Sequence, residues 1–126
     1  MIAAAGPALR MVTLAPERAG APEAVAKFAA TGAVVAAGHS LATLAQLRDA
    51  IARGLAFVTH VGNATDWPSR PFDAQAGFRR SEPNVVGAFL FEKRLKGSLI
   101  LDGHHLHPEL ARAIVDLRGA DAIALV

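Results

Sequence analysis

The residues best able to do chemistry are five histidines and two of the acids, and they are not scattered. Glu17, His39, His60 and Asp102 each stand just after a short apolar run, and His104, His105 and His107 crowd behind Asp102. Twenty-two residues separate Glu17 from His39, twenty-one separate His39 from His60, and forty-two separate His60 from Asp102. A step near 21 residues is about one strand plus one helix, so successive polar groups land at the same end of neighbouring parallel strands. In α/β folds that edge is where ligands and active sites are built. Neutral imidazoles on adjacent strands can converge on one divalent ion, with zinc–nitrogen bonds of about 2.0–2.1 Å. Such an ion lowers the pKa of a bound water and polarises a carbonyl, which is what amide hydrolysis needs. Taken singly, each residue has an ordinary explanation. A histidine after a strand is commonly a satisfied loop or core residue. Glu17, following Ala15-Pro16, can be an acid at a helix N-terminus, and His104, His105 and His107 can form a solvated turn. The regular spacing is what favours one shared site.

The elements that must position these groups alternate between strand and helix. Met11–Leu14, Ala33–Ala37, Leu55–Val58, Gly97–Leu101 and Ala122–Val126 are short, continuous apolar runs, the pattern of buried parallel strands. Between them, helical periodicity runs over Pro22–Ala30, and a second helix is expected from Leu41 to Arg53 with Ser40 as its N-cap and Gly54 as its stop. A short helix is expected over Asn84–Lys93, and another begins at Pro108 and ends near Gly119. The stretch from Val61 to Pro83 is irregular and rich in proline and glycine, the composition of a functional or mobile loop. This α/β pattern of five β units fits either a doubly wound sheet or part of a (β/α)8 barrel. There is no GxGxxG and no P-loop.

Composition narrows the function classes. With 52% hydrophobic and 19% charged residues, the chain is a folding sequence and not a disordered one. The net charge of +2 comes without a basic run interleaved with aromatics, which argues against a nucleic-acid partner. No apolar stretch reaches the roughly 18 residues of a membrane span. Cysteine is absent, which excludes disulfides and thiolate metal sites and fits a reducing compartment such as the cytoplasm. The opening MIAAAGPALRM lacks the basic region of a signal peptide; it resembles the middle of a protein, with Met1 an internal start.

Five blocks carry a family resemblance: TLAPE (Thr13–Glu17), GHS (Gly38–Ser40), TH..NA (Thr59–Ala64), EP..VGA (Glu82–Ala88) and DGHHLHP (Asp102–Pro108). Their order and spacing resemble the N-acetylglucosamine-6-phosphate deacetylases of the amidohydrolase superfamily. The resemblance implies a partial (β/α)8 TIM barrel of about five βα units, strands four to eight, not closed. It implies an amide hydrolase of amino-sugar catabolism, with His39 and His60 as metal ligands after the fifth and sixth barrel strands. The divalent metal would be zinc, with iron, manganese or cobalt as alternatives. Asn63, Ala64 and His105 match substrate-contacting positions, and Arg80, with Arg79 as second choice, matches the arginine that holds phosphate, Ser81 being an extra residue before the EP block. The family's metal glutamate belongs to an upstream HLEGP motif that this chain lacks, so Glu17 is assigned a structural or supporting role together with Asp102. The catalytic aspartate is expected just beyond Val126, which leaves no catalytic residue in these 126 positions. The substrate would be an amino-sugar phosphate, and the parent enzyme a homodimer. Gly62 and Thr65 depart from the family's TH..NAM block, and the Asp66–Ser81 loop is longer than usual; both differences bear on which sugar is accepted. The expectation is a truncated or excised chain, inactive and poorly soluble or oligomeric by itself. Another amidohydrolase activity and a non-catalytic remnant are the alternatives.

Overall fold

The computed structural model describes residues 6–63 and 83–126. Five strands are formed: β1 (Met11–Leu14), β2 (Val34–Ala37), β3 (Leu55–Val58), β4 (Lys96–Leu99) and β5 (Ile123–Leu125). Four helices lie between them: α1 (Ala21–Ala29), α2 (Leu44–Ala52), α3 (Val85–Phe91) and α4 (Pro108–Arg118). Single turns of 3-10 helix occupy Gly6–Ala8 and Ala120–Ala122. All strands are parallel and pair in chain order, β1-β2-β3-β4-β5. Of the two architectures left open by the strand pattern, this sequential order is that of a barrel wall and not of a doubly wound sheet, whose order reverses at a switch point. Among the described residues, β1 and β5 each have one unpaired edge, so the sheet is open.

The strands form where apolar residues run together, and their helix-facing side is buried. Val35, Leu55, Val58 and Leu99 pack with Val25 of α1, Leu47 and Ile51 of α2, Phe89 of α3 and Ile114 of α4 into one core. Phe89 is wholly buried against the sheet because residue 97 is glycine. A Cβ there would stand 2.7 Å from Phe89 Cε2 and 3.0 Å from Val61 Cγ2. Arg118, at the end of α4, is drawn under the same helix. Its guanidinium lies 4.7 Å above the Phe89 ring and donates to the carbonyl of Leu95, and burial pulls its pKa down.

The helix ends follow local capping chemistry, with one correction to the sequence reading. α2 starts at Leu44, not Leu41, and Ser40 is not its cap. Thr43 fills that position: its hydroxyl accepts from Gln46 N–H at 3.3 Å, and Gln46 Oε1 accepts from Thr43 N–H at 2.9 Å. This reciprocal pair is a capping box, satisfying two otherwise orphaned amides. Ser40 is engaged elsewhere. Asn84 caps α3 through Val86 and Gly87, and His107 caps α4 through Glu109, with Pro108 in the first turn. Thr43→Ala should therefore lower the stability of the chain by about 1 kcal/mol. Urea or thermal unfolding checks this, and an unchanged midpoint would remove Thr43 from the cap.

Candidate metal and substrate site

Beyond β2 and β3 the chain turns sharply, and each turn carries a histidine. His39 has φ +49° and His60 has φ +34°, the two non-glycine residues with positive φ among those described. This left-handed region is unfavourable for a side chain and persists only when its surroundings hold it. The register pairs Ala37 with Val58, so the two turns lie side by side. The imidazole centroids are 4.7 Å apart, with the rings tilted 37° to one another. They face an open cavity of about 480 Å³, to which Thr13, Arg18 and Thr59 also contribute. Gly38 makes the close approach of the strand ends possible. A Cβ on it would lie 2.2 Å from Thr59 Oγ1 and 2.7 Å from Thr13 Cγ2.

Glu17 stands in the turn after β1 and reaches the His39 turn. Its Oε2 accepts from the Ser40 hydroxyl at 2.6 Å, and its Oε1 accepts from Leu41 N–H at 2.9 Å. Partial burial pushes this carboxyl up. The hydrogen bonds from Ser40, Leu41 and its own amide, with Arg18 nearby, outweigh that push and hold it below the usual carboxylate range. Both oxygens are thus committed to protein donors.

The His60 turn is held from the other side by a residue the sequence reading missed. Ser98 in β4 is only 4% exposed, and its Oγ accepts from His60 N–H at 2.8 Å. Its carbonyl accepts from Val61 N–H at 2.8 Å. The available signal was a lone hydroxyl in the expected strand Gly97–Leu101, which is otherwise apolar residues and glycine. Asn63 closes the turn, its N–H donating to the His60 carbonyl at 2.9 Å.

Beyond β4, Asp102 organises the histidine-rich loop. Oδ1 accepts from the amides of His104 and His105 at 2.9 and 3.0 Å, and Oδ2 lies 2.7 Å from His105 Nδ1. The His105 amide first, then that of His104 and the His105 ring, hold the Asp102 carboxyl far below its ordinary range. With Nδ1 committed to Asp102, Nε2 is the ring nitrogen of His105 left for another partner. The structure thus brings His39 and His60 together, ties Glu17 to the first and pairs Asp102 with His105. Ala64, Arg79 and Arg80 lie outside the described residues.

The residues present fit a divalent cation in part. Nδ1 of His60 is buried and has no hydrogen-bond partner among the described groups, so one imidazole nitrogen is left to be satisfied. Two neighbouring imidazoles are half of a tetrahedral donor set. No group of three or more His, Cys, Asp or Glu able to hold a metal occurs among the described residues.

The depressed carboxyl of Glu17 has a pH consequence. A carboxyl held low in the folded state adds stability above its unfolded pKa and loses it as pH falls through the folded value. Glu17→Gln should therefore flatten the loss of stability as pH drops from about 5 toward 3. Unfolding midpoints across that range check this, and parallel curves for the two proteins would contradict it.

No protein-family model matches the chain. Individual proteins do. The N-acetylglucosamine-6-phosphate deacetylase of Lysinibacillus sphaericus is 34% identical over 124 residues, which is 98% of this chain and 30% of that protein. The N-acetylgalactosamine-6-phosphate deacetylase of Escherichia coli O157:H7 is 37% identical over 108 residues, 86% of this chain and 26% of that protein. Among solved structures, N-acetyl-D-glucosamine-6-phosphate deacetylase from Mycobacterium smegmatis, in complex with N-acetyl-D-glucosamine-6-phosphate, matches with a TM-score of 0.76 at 38% identity. That match covers 93% of this chain and 28% of the other. The Thermotoga maritima N-acetylglucosamine-6-phosphate deacetylase matches with a TM-score of 0.78 at 28% identity, covering 95% of this chain and 30% of its own. The chain thus spans about 30% of the length of the relatives it matches. By sequence and by superposition alike, the chain is homologous to one stretch of the N-acetylglucosamine-6-phosphate and N-acetylgalactosamine-6-phosphate deacetylases and matches a portion of their barrel.

Proposed function

We propose that these residues form part of the catalytic face of a metal-dependent deacetylase that cleaves the acetamide of an N-acetyl amino-sugar phosphate. The observation that carries this reading is the pair of imidazoles, 4.7 Å apart at adjacent strand ends, in a chain aligned with such enzymes over 98% of its length. His39 and His60 would hold the metal together with a carboxylate that this stretch does not supply. When bound, a divalent ion such as zinc supplies Lewis-acid polarisation and an acidified water.

The chain's own residues account for substrate handling. His105, its Nδ1 bonded to Asp102, would contact the acetamide through Nε2. Asn63, Ala64 and Arg80 are the phosphate and sugar contacts, with Arg80 supplying the charge that a phosphate monoester needs. Proton transfer to the leaving amine is assigned to an aspartate outside these residues. The same reading makes the parent enzyme a cytoplasmic homodimer of amino-sugar catabolism.

The amino sugar itself is left open to two epimers, because relatives named for N-acetylglucosamine-6-phosphate and for N-acetylgalactosamine-6-phosphate are 34% and 37% identical to this chain. Gly62, where the family commonly has a larger side chain, lies next to Asn63 on the sugar side.

Two measurements test the proposal. His39→Ala and His60→Ala, made in a full-length protein carrying this stretch, should each cut bound divalent metal well below one equivalent. Unchanged stoichiometry by elemental analysis would refute the ligand assignment. Acetate release should occur with one or both of the 6-phosphorylated N-acetylhexosamines and fall at least about 100-fold without the phosphate, as expected when a charge-assisted contact of about 3 kcal/mol is lost. Equal rates on the unphosphorylated sugars would sink the substrate assignment.

A further inference from the structure

The two histidine turns share a construction that the deacetylase reading does not by itself require. Each is in the left-handed region, His39 at φ +49° and His60 at φ +34°. Each is held by a side-chain oxygen from the strand unit on its outer flank. In the order β1-β2-β3-β4, Glu17 follows β1 and grips the turn after β2, while Ser98 in β4 grips the turn after β3. The imidazoles meet between these two holds.

Resting on the metal-site reading above, we infer that Glu17 and Ser98 are positioning residues, each fixing one imidazole for the shared ion. Glu17 binds the two residues directly after His39, taking the Ser40 hydroxyl at 2.6 Å and the Leu41 amide at 2.9 Å. The Ser40 hydroxyl oxygen in turn accepts from Ala42 N–H at 3.1 Å, so the chain leaving His39 is pinned at three successive residues. Because both carboxylate oxygens are engaged, Glu17 acts through His39 and not as a ligand. Ser98 takes the amide of His60 itself, and its carbonyl takes the amide of Val61, each at 2.8 Å. At 4% exposure, with its strand hydrogen-bonded on both sides, Ser98 has little freedom to move with the turn. Neither hold touches the other histidine's turn.

That separation gives the test. In the metal-free form of a full-length protein carrying this stretch, the imidazole carbon–proton resonances of His39 and His60 should respond in a crossed pattern. Glu17→Ala should move the His39 ring signals more than those of His60, and Ser98→Ala should do the reverse, the smaller shift being passed on by the neighbouring ring 4.7 Å away. Glu17→Gln, which keeps one oxygen acceptor, and Ser98→Thr, which keeps the hydroxyl, should give smaller shifts in the same pattern. These milder variants decide the matter if an alanine variant fails to fold. Zinc titration, read by competition with a chromophoric chelator, should show about a tenfold loss of affinity for each alanine variant. In a His39→Ala background, Glu17→Ala should cause no further loss while Ser98→Ala still does, and the converse should hold in a His60→Ala background. Uncrossed or absent ring shifts would overturn the positioning roles. Zinc affinity unaffected by His39→Ala and His60→Ala would instead overturn the metal reading, with the metal-free ring shifts still deciding whether Glu17 and Ser98 position the rings.

Discussion

Ala37 is paired with Val58, and on that register everything at the site depends. Two residues beyond each partner stands a histidine, so the pairing that satisfies the backbone also sets the rings side by side. A slip of one residue would turn the side chains of β3 to the opposite face of the sheet. It would expose Val58, which is now wholly buried. Burial in the core therefore fixes the register, and the register places the imidazoles. The irregularity between Val35 and Ala36 is absorbed before this point, so the final pairs beneath the histidines are regular.

Small residues at the strand ends complete the arrangement. Gly38 has no Cβ to collide with Thr59 and Thr13, so the β2 turn can sit close to its neighbours. Gly97 does the equivalent for Phe89 beneath β4, which keeps Ser98 next in line at the height of the His60 amide. Left-handed backbone at His39 and His60 costs of the order of 1–3 kcal/mol at each residue. Hydrogen bonds accepted by Glu17, Ser40 and Ser98 offset that cost where it arises. The region is buried on its core side, and its polar partners reach across neighbouring βα units.

Much of this was legible in the sequence, because the signals were local. Short apolar runs marked all five strands, and the repeating distance between Glu17, His39 and His60 marked their common edge. Ordered motifs marked the family. What escaped was chemistry between residues far apart in the chain. Ser40 looked like a helix cap because serine before an apolar run commonly is one, yet its hydroxyl donates to Glu17, 23 positions earlier. With Ser40 engaged there, the helix starts three residues later, at a Thr43–Gln46 pair that local inspection could have found. Ser98 gave almost no local signal, since its partner, the His60 amide, lies 38 positions away. The grouping of His39 with His60 came from spacing, whereas the separate holds on them became visible only in three dimensions.

The proposed function requires His39 and His60 to be joint ligands of one ion. A crystal structure of the zinc-loaded protein tests it most directly. The expected result is a single ion bound by one nitrogen of each ring at about 2.0–2.1 Å, with Glu17 still bonded to Ser40 and Ser98 still bonded to the His60 amide. An ion seated instead among His104, His105 and His107, or held by His39 without His60, would contradict it.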